Sequence, residues 1–331
     1  WSGGAAGGLL SVGAVGDSAL TLLALPYPLL DDIGGRLLSA DMCVIAFAVE
    51  ARPGLALLLA ANRDEFFGRP TAPWHRWVLP CGTEILGGRD LRDGGTWLGV
   101  SISARVAILT NVRSTQTTSG QRSRGELATR WLAGESLQTL QADIEPQAYG
   151  GFNLVVGDLH TGAWHWLSNC NPQRPSDGVV PQLTSRLLAP GIYGLSNAAL
   201  DSPWPKTLRL RAALTESVDA ASSASPLAGW ESSLACALAD RTLAPANQLP
   251  ATGVGLVREL GLSSPFVRLP EHGYGTRSSL VLRIAATDQP ARWRLDANEW
   301  THTPLAPGRP HHWDDTRRHS ESVDLVAIKG A

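Results

Sequence analysis

The stretch Met42-Cys43-Val44-Ile45-Ala46-Phe47-Ala48-Val49, answered after one turn by Asn62-Arg63-Asp64-Glu65, decides how the rest of the chain is read. From Val44 to Glu50 larger residues (Ile45, Phe47, Val49) alternate with smaller ones (Val44, Ala46, Ala48), which is the period of a strand. Arg52-Pro53-Gly54 reads as the turn, because proline presets φ and glycine tolerates positive φ. Leu55 to Ala61 is an almost continuous apolar run and reads as the returning strand, buried on both faces. If residue 51 or 52 faces residue 55, counting back along the two strands puts Cys43 opposite Arg63 or Asp64. The hairpin therefore carries an amide, a cation and an anion to a cysteine.

Met42 is the only methionine in the chain. If translation starts there and an aminopeptidase removes it, Cys43 becomes the first residue, with a free α-amine beside its own thiol. Unperturbed, that amine has a pKa of about 7.7–8.0 and the thiol one of about 8.5. At neutral pH the amine can then serve as general base for the sulfur without a histidine. Packing alone would read Cys43 as a small buried hydrophobe, but packing does not explain its place after the sole methionine.

Composition narrows the classes. The chain has 331 residues, 44% hydrophobic and 18% charged, enough for a substantial core in one large domain or two small ones. Its 28 Lys and Arg against 30 Asp and Glu give a net charge of -2 without a basic stripe, which argues against nucleic acid and anionic membrane as partners. Cys43, Cys81, Cys170 and Cys236 are scattered, with neither zinc spacing nor a disulfide framework. A reducing, cytoplasmic compartment is the expectation, with no metal and no required cofactor. Residues 1–41 are rich in Gly, Ala and Leu and carry no Lys or Arg before Arg36. Their best apolar run, Ala19 to Leu30, is interrupted by Pro26 and Pro28 and is too short to span a bilayer. They read as a leader that is not part of the mature protein.

Further along, Pro70 to Pro80 reads as a Trp/Pro-rich connection, with His75 a surface or packing residue. The pairs Gly87-Gly88 and Gly94-Gly95 suggest tight turns between strands. Val106 to Thr110 reads as a buried strand ending at Asn111-Val112-Arg113. Ser123-Arg124-Gly125-Glu126 has capping-box spacing ahead of a helix containing Leu127, Trp131 and Leu132, and Ser136 to Ile144 repeats the pattern. Phe152 to Gly157 and Ala163 to Asn169 form a second predicted hairpin, and Gly191 to Leu195 is a further strand. Asp201-Ser202-Pro203-Trp204-Pro205-Lys206 starts a helix. Helical patterns cover Lys206 to Val218 and Trp230 to Asp240, and a last strand pair covers Thr276 to Ala285 and Arg292 to Leu295. Residues 306–331, with His311, His312, Asp314, Asp315 and His319, read as a mostly flexible tail rather than a metal site. Two batches of strands with helices between and after predict an α+β fold, two stacked antiparallel sheets covered by helices, in one domain over 42–305.

These residues match a known pattern. Met42-Cys43, Asn62 to Glu65, Gly94-Gly95-Thr96-Trp97-Leu98-Gly99, Ser123-Arg124-Gly125, Gly151-Phe152-Asn153-Leu154, Tyr193 to Asn197, Pro203 to Lys206 and Tyr274 to Ser279 occur in the order found in the NRDE family, the transport and Golgi organisation proteins. The resemblance runs from Met42 to about Ile284. It implies a four-layer αββα sandwich like that of the N-terminal nucleophile hydrolases, among which bile-salt hydrolases and penicillin V acylases use an N-terminal cysteine. By that resemblance Cys43 is the nucleophile, Arg63 and Asp64 are its partners, Asn153 is an oxyanion donor and Arg277 is the late arginine. Those hydrolases separate the arginine from the aspartate, whereas here the two are adjacent. Neighbouring strand residues point to opposite faces, so Arg63 and Asp64 stand as alternatives, with Asn62 on the face of Asp64.

Two functions are expected from this. One is hydrolysis of a non-peptide amide or an ester through an acyl-cysteine, with Asn153 or Asn111 at the oxyanion and Asn62, Glu65, Asn111 and Asn197 as ligand contacts. The other is a non-catalytic binding or trafficking protein for an amphipathic small molecule or lipid, such as haem or acyl-coenzyme A.

Overall fold

The computed structural model describes residues 42–114, 120–220, 228–302 and 316–326; the expected leader and His311 to Asp315 lie outside them. The first hairpin joins β1 (Met42–Arg52) to β2 (Leu55–Phe66). The chain continues through β3 (Thr71–Val78), β4 (Glu84–Asp90), β5 (Leu98–Ser101), β6 (Arg105–Asn111), α1 (Gly125–Leu132), α2 (Leu137–Asp143), β7 (Phe152–Asp158), β8 (Ala163–Cys170), β9 (Val179–Leu187) and β10 (Gly191–Leu195). Then follow α3 (Pro205–Ala220), α4 (Ala228–Leu238), α5 (Leu256–Gly261), β11 (Arg268–Leu269), β12 (Tyr274–Ala286), β13 (Arg292–His302) and β14 (Thr316–Val326).

The strands form two antiparallel sheets. Sheet A runs β10-β1-β2-β12-β13-β14, with β11 on β12; sheet B runs β3 to β9 in chain order. Alternation along β1 and β2 divides their side chains. Cys43, Ile45, Phe47, Val49, Leu57, Leu59 and Ala61 enter a core shared with Ile108, Val155 and Trp164 of sheet B. Val44, Ala46, Ala48, Leu58 and Ala60 pack instead against Leu210 and Leu214 of α3 and Trp230 and Leu234 of α4. On the far side, Ala107, Leu109, Leu154 and Val156 of sheet B meet Leu127, Trp131 and Leu132 of α1 and Leu140 of α2. Helix, sheet, sheet, helix: the fold is the four-layer αββα sandwich.

The hairpin contains both registers that the turn allowed. Gly54 takes φ +77 in the turn and Arg52 faces Leu55. Between Arg52 and Val49 the register then shifts, Glu50 adopting φ +44, so that Val49 faces Leu57. This one-residue bulge carries the strand on to Cys43 opposite Arg63 and Met42 opposite Asp64.

Four local expectations are corrected. The Trp/Pro-rich stretch is an edge strand, β3, whose ladder on β4 is interrupted between Ala72 and His75. That is where Pro73, which has no N–H to donate, is tolerated. Gly87 and Gly88 lie inside β4 rather than in a turn. A Cβ on Gly87 would stand 2.6 Å from the Leu98 carbonyl oxygen, so the glycine permits close strand approach. The capping box does not form: Arg124 precedes α1 without a side-chain cap, and Glu126 accepts from the Tyr149 hydroxyl at 2.5 Å and pairs with Arg122. Finally, 316–326 of the expected tail forms β14, paired with β13 along its whole length.

Gly87→Ala is expected to destabilise the protein by about 1–3 kcal/mol, the usual cost of overpacking. A lowered urea midpoint with unchanged slope would show it, and an unchanged midpoint would contradict the close approach.

Candidate active site around Cys43

Cys43 lies in the second position of β1 and is 6% exposed, with its carbonyl held by the Ser196 hydroxyl at 2.7 Å. Ser196 is itself tied to the other sheet, because Thr110 donates to its carbonyl at 2.8 Å. The end of β1 is thus anchored from both sheets. From here polar residues follow the same alternation as the core. Arg63 and Glu65 continue the side of β2 that carries Leu59 and Ala61, and Asn62 and Asp64 continue the side that carries Leu58 and Ala60.

On the inter-sheet side, Arg63 stands directly across from Cys43. Its guanidinium meets Glu65 at 3.3 Å and the Thr71 hydroxyl at 3.5 Å, both long contacts for a group with five N–H donors. Glu65 also lies 3.7 Å from Arg69, which pairs with Asp90 and Asp93. Glu299 of β13 is buried nearby and accepts from the Trp74 backbone N–H at 2.6 Å. Burial raises its carboxyl pKa, against that bond, the Ser278 hydroxyl, His319 and Arg63.

On the helix side sits a second polar group. Asp64 is buried, its Oδ1 accepts from the Thr276 hydroxyl at 2.6 Å, and its Oδ2 has no hydrogen-bond partner. Lys206, in the first turn of α3, is 1% exposed with an equally unpartnered Nζ. Arg113 and Glu259 form a buried ion pair, and Glu259 also accepts from Thr252. Arg113 lies 4.6 Å over the Trp204 ring. Burial pushes Asp64 from 3.8 up to about 7, opposed by Lys206, Thr276, Arg63 and Arg113. Burial brings Lys206 from 10.5 down to about 8, with Asp64 pulling upward, Arg113 downward, and Cys43 and Glu259 upward.

The remaining predicted residues are spoken for or elsewhere. Asn62 donates to the Leu238 and Pro265 carbonyls at 2.8 and 2.9 Å and accepts from Ser279, joining β2 to the helix layer. Asn153 donates to Thr110 at 3.2 Å and the Ala198 carbonyl at 2.7 Å, and accepts from Trp166 at 3.1 Å. Asn197 donates to the Asn111 carbonyl at 3.0 Å. Asn111 is paired across the ladder with Phe152, whose ring belongs to the outer core under α1 and α2. Arg277 is the extra residue of a bulge on β12 and donates to the carbonyls of Phe66, Phe67 and Arg69 at 3.0, 3.2 and 3.0 Å. The fold therefore brings Cys43, Arg63, Asp64 and Glu65 to one strand end and engages the side-chain amides of Asn62, Asn153 and Asn197 with backbone carbonyls.

Sequence reasoning missed Lys206, Arg113, Glu259 and Glu299. Lys206 did leave a signal: it follows Pro205 in the first turn of α3, where the helix dipole disfavours a cation.

The buried pair has a pH signature. The folded chain holds an extra proton on Asp64 between about pH 4 and 7, so stability falls as pH rises through that window. Between about 8 and 10.5 the unfolded chain holds the extra proton on Lys206, so stability recovers. Urea unfolding from pH 5 to 9 is expected to show a minimum near 7–8, with limbs no steeper than about 1.4 kcal/mol per pH unit from each group. Asp64→Asn should flatten the acid limb; a limb that survives this change unaltered would assign it elsewhere.

The model of the family described as "Transport and Golgi organisation 2" matches residues 42–291. The bovine "Transport and Golgi organization protein 2 homolog" is 32% identical over 283 residues, which is 78% of this chain and 99% of the relative. The human homolog is 35% identical over 262 residues, 74% of this chain and 89% of the relative. Among solved structures, a mutant of the conjugated bile acid hydrolase from Clostridium perfringens aligns at TM-score 0.42 and 10% identity, covering 87% of this chain and 99% of that one. The Caenorhabditis elegans ortholog of N-acylethanolamine-hydrolyzing acid amidase aligns at 0.39 and 11%, covering 72% and 92%. With a family model that accounts for the whole stretch from the cysteine strand into the β12–β13 turn, the chain belongs to the transport and Golgi organisation 2 family.

Proposed function

We propose that the protein hydrolyses an amide or ester of an amphipathic small molecule through an acyl-Cys43 intermediate. The observation that carries this reading is the placement of Cys43. It sits at the end of β1, its carbonyl fixed by Ser196, with Arg63 opposite on its own face and Asp64 one position further along β2. Once residue 42 is removed, the residue-43 nitrogen becomes an α-amine in that setting. The sulfur attacks the substrate carbonyl carbon and its proton passes to the α-amine. Collapse of the tetrahedral adduct breaks the C–N or C–O bond, the α-ammonium protonates the leaving amine or alcohol, and water then cleaves the thioester. With both amide hydrogens of Asn153 committed, the loosely engaged Arg63 guanidinium is the donor for the oxyanion. One such donor contributes about 3–4 kcal/mol to the transition state.

The same commitment of Asn153 favours a second reading, a carrier for haem or acyl-coenzyme A in which Cys43 is a ligand contact rather than a nucleophile.

Intact mass and N-terminal sequencing of the purified chain should find Cys43 as first residue. An alkylating probe needs care, because exposed Cys81 has its thiol pKa lowered by the Thr83 hydroxyl. In a Cys81→Ser background, a β-lactone is expected to acylate Cys43 in preference to Cys170 and Cys236, and Cys43→Ala should abolish labelling. Arg63→Met should slow acylation by about 100-fold or more, as for loss of an oxyanion donor. A retained residue 42, or unselective labelling, would sink the hydrolase. A stoichiometric Soret band or tight acyl-coenzyme A binding that survives Cys43→Ala would favour the carrier.

A further inference from the structure

The alternation that places Cys43 between the sheets places Asp64 on the other side of sheet A, against the helices. The Cys43 thiol and the Asp64 carboxyl cannot meet across a strand. What both can reach is the backbone nitrogen of residue 43, since Met42 is the register partner of Asp64 and Cys43 that of Arg63. On the reading above, this nitrogen is the α-amine that takes the thiol proton.

Asp64 meets a balanced set of charges. Thr276 on β12 occupies Oδ1, Arg63 flanks it on β2, Arg113 approaches from the segment after β6, and Lys206 comes from α3. Around Lys206 stand Asp64, Arg113, Cys43 and Glu259. Arg113 and Glu259 already neutralise one another, as do Arg63 and Glu65. That leaves the Lys206 ammonium and the Asp64 carboxylate, each buried and each with a terminal atom that makes no hydrogen bond.

Such a lysine has no structural justification of its own. It is removed from water, it sits at the end of a helix where the dipole opposes it, and an apolar residue of the same length would normally be at least as stable there. A buried carboxylate alone would be protonated at neutral pH and could not stabilise a cation beside it.

Resting on the hydrolase reading, we infer that Lys206 is a positioning residue of the Cys43 site: its ammonium opposes the effect of burial on Asp64 and keeps a share of that carboxyl ionised at neutral pH, so that the carboxylate stabilises the α-ammonium formed when residue 43 takes up its own thiol proton. Lys206 makes no hydrogen bond to the sulfur, and its part is electrostatic. The proton moves from Sγ to the α-nitrogen and on to the leaving group, and neither Asp64 nor Lys206 gains or loses one.

Two readouts test this on the full chain. The first is the titration of the Asp64 carboxyl by carbon-13 NMR, assigned by its loss in Asp64→Asn. In Lys206→Met the midpoint should rise by about one pH unit or more, the effect of removing an opposite charge at close range, and Lys206→Arg should restore it. The second is the pH profile of Cys43 labelling by iodoacetamide in the Cys81→Ser background, whose lower limb should follow the Asp64 midpoint from variant to variant. Circular dichroism reports whether each variant folds. Should Lys206→Met not fold, the wild-type titration still decides, since a carboxyl protonated to pH 9 or above overturns the inference. An Asp64 midpoint indifferent to Lys206 also overturns it. So does a selective labelling profile that ignores that midpoint, which would leave the hydrolase intact. Absence of selective Cys43 labelling in the wild type is the separate result that sinks the hydrolase itself, while the carboxyl titration continues to report on Lys206 and Asp64.

Discussion

One extra residue at the bulge between Val49 and Arg52 fixes where every functional side chain in sheet A points. Side-chain direction in a strand has a period of two, so a slip of one position exchanges the two faces. Had the register of the turn, with Arg52 facing Leu55, persisted along the hairpin, Cys43 would have come opposite Asp64. With Glu50 absorbing the difference at φ +44, Cys43 comes opposite Arg63 instead. The core reinforces this choice. Phe47 and Leu59 fill the space between the sheets, while Ala46 and Ala60 leave room for α3 and α4 to approach. On β1 the large residues Ile45, Phe47 and Val49 point inward, and this matches the register the bulge sets.

The site then inherits the two-sidedness of the strand. A cysteine and a cation face the inter-sheet core, an acid and a lysine face the helices, and the polypeptide backbone of the strand ends runs between them. Holding that backbone still is the task of the polar contacts around it. Ser196 grips the Cys43 carbonyl, Thr110 grips Ser196, and Asn153 grips Thr110 and Ala198, so that one chain of hydrogen bonds joins the end of β1 to β6 and β7. Each member is buried, where an unmade hydrogen bond is costly, and so the chain has little freedom to loosen. The asparagine expected to act on substrate acts on the scaffold.

How much of this the sequence disclosed follows from how local each feature is. The hairpin was legible because its alternation, turn residues and return run all lie within a short stretch, and counting along it narrowed Cys43 to two partners. The bulge that chose between them was not, since Glu50 carries no mark of positive φ. In the sequence Gly87 has the look of a turn, because its reason, the Leu98 carbonyl, lies on another strand. β14 has the look of a tail, because its alternation is weak and its partner β13 is what makes it a strand. Lys206, Arg113 and Glu259 come from three separate segments, and only folding reveals that Lys206 and Arg113 act on Asp64 while Glu259 pairs with Arg113. The NRDE-type motifs supplied the family and the layer order, yet a motif lists residues without saying which face each one takes.

Arg277 shows what that distinction means. By resemblance it is the late arginine of the site, there to bind substrate or hold the cysteine, and it does lie near Arg63 and Glu65, whose charges act on it in opposite senses beneath the dominant effect of burial. Its guanidinium, however, collects the carbonyls of Phe66, Phe67 and Arg69, the point where the chain leaves β2 in sheet A to begin β3 in sheet B. A crossing between sheets exposes carbonyls that no ladder satisfies, and a cation inserted by a bulge satisfies three at once. To reach a substrate, Arg277 would have to release all three and loosen the connection that carries Arg69 to Asp90 and Asp93. The geometry therefore gives Arg277 the work of holding the two sheets in place around Arg63, which is left as the arginine with donors to spare on the face of Cys43.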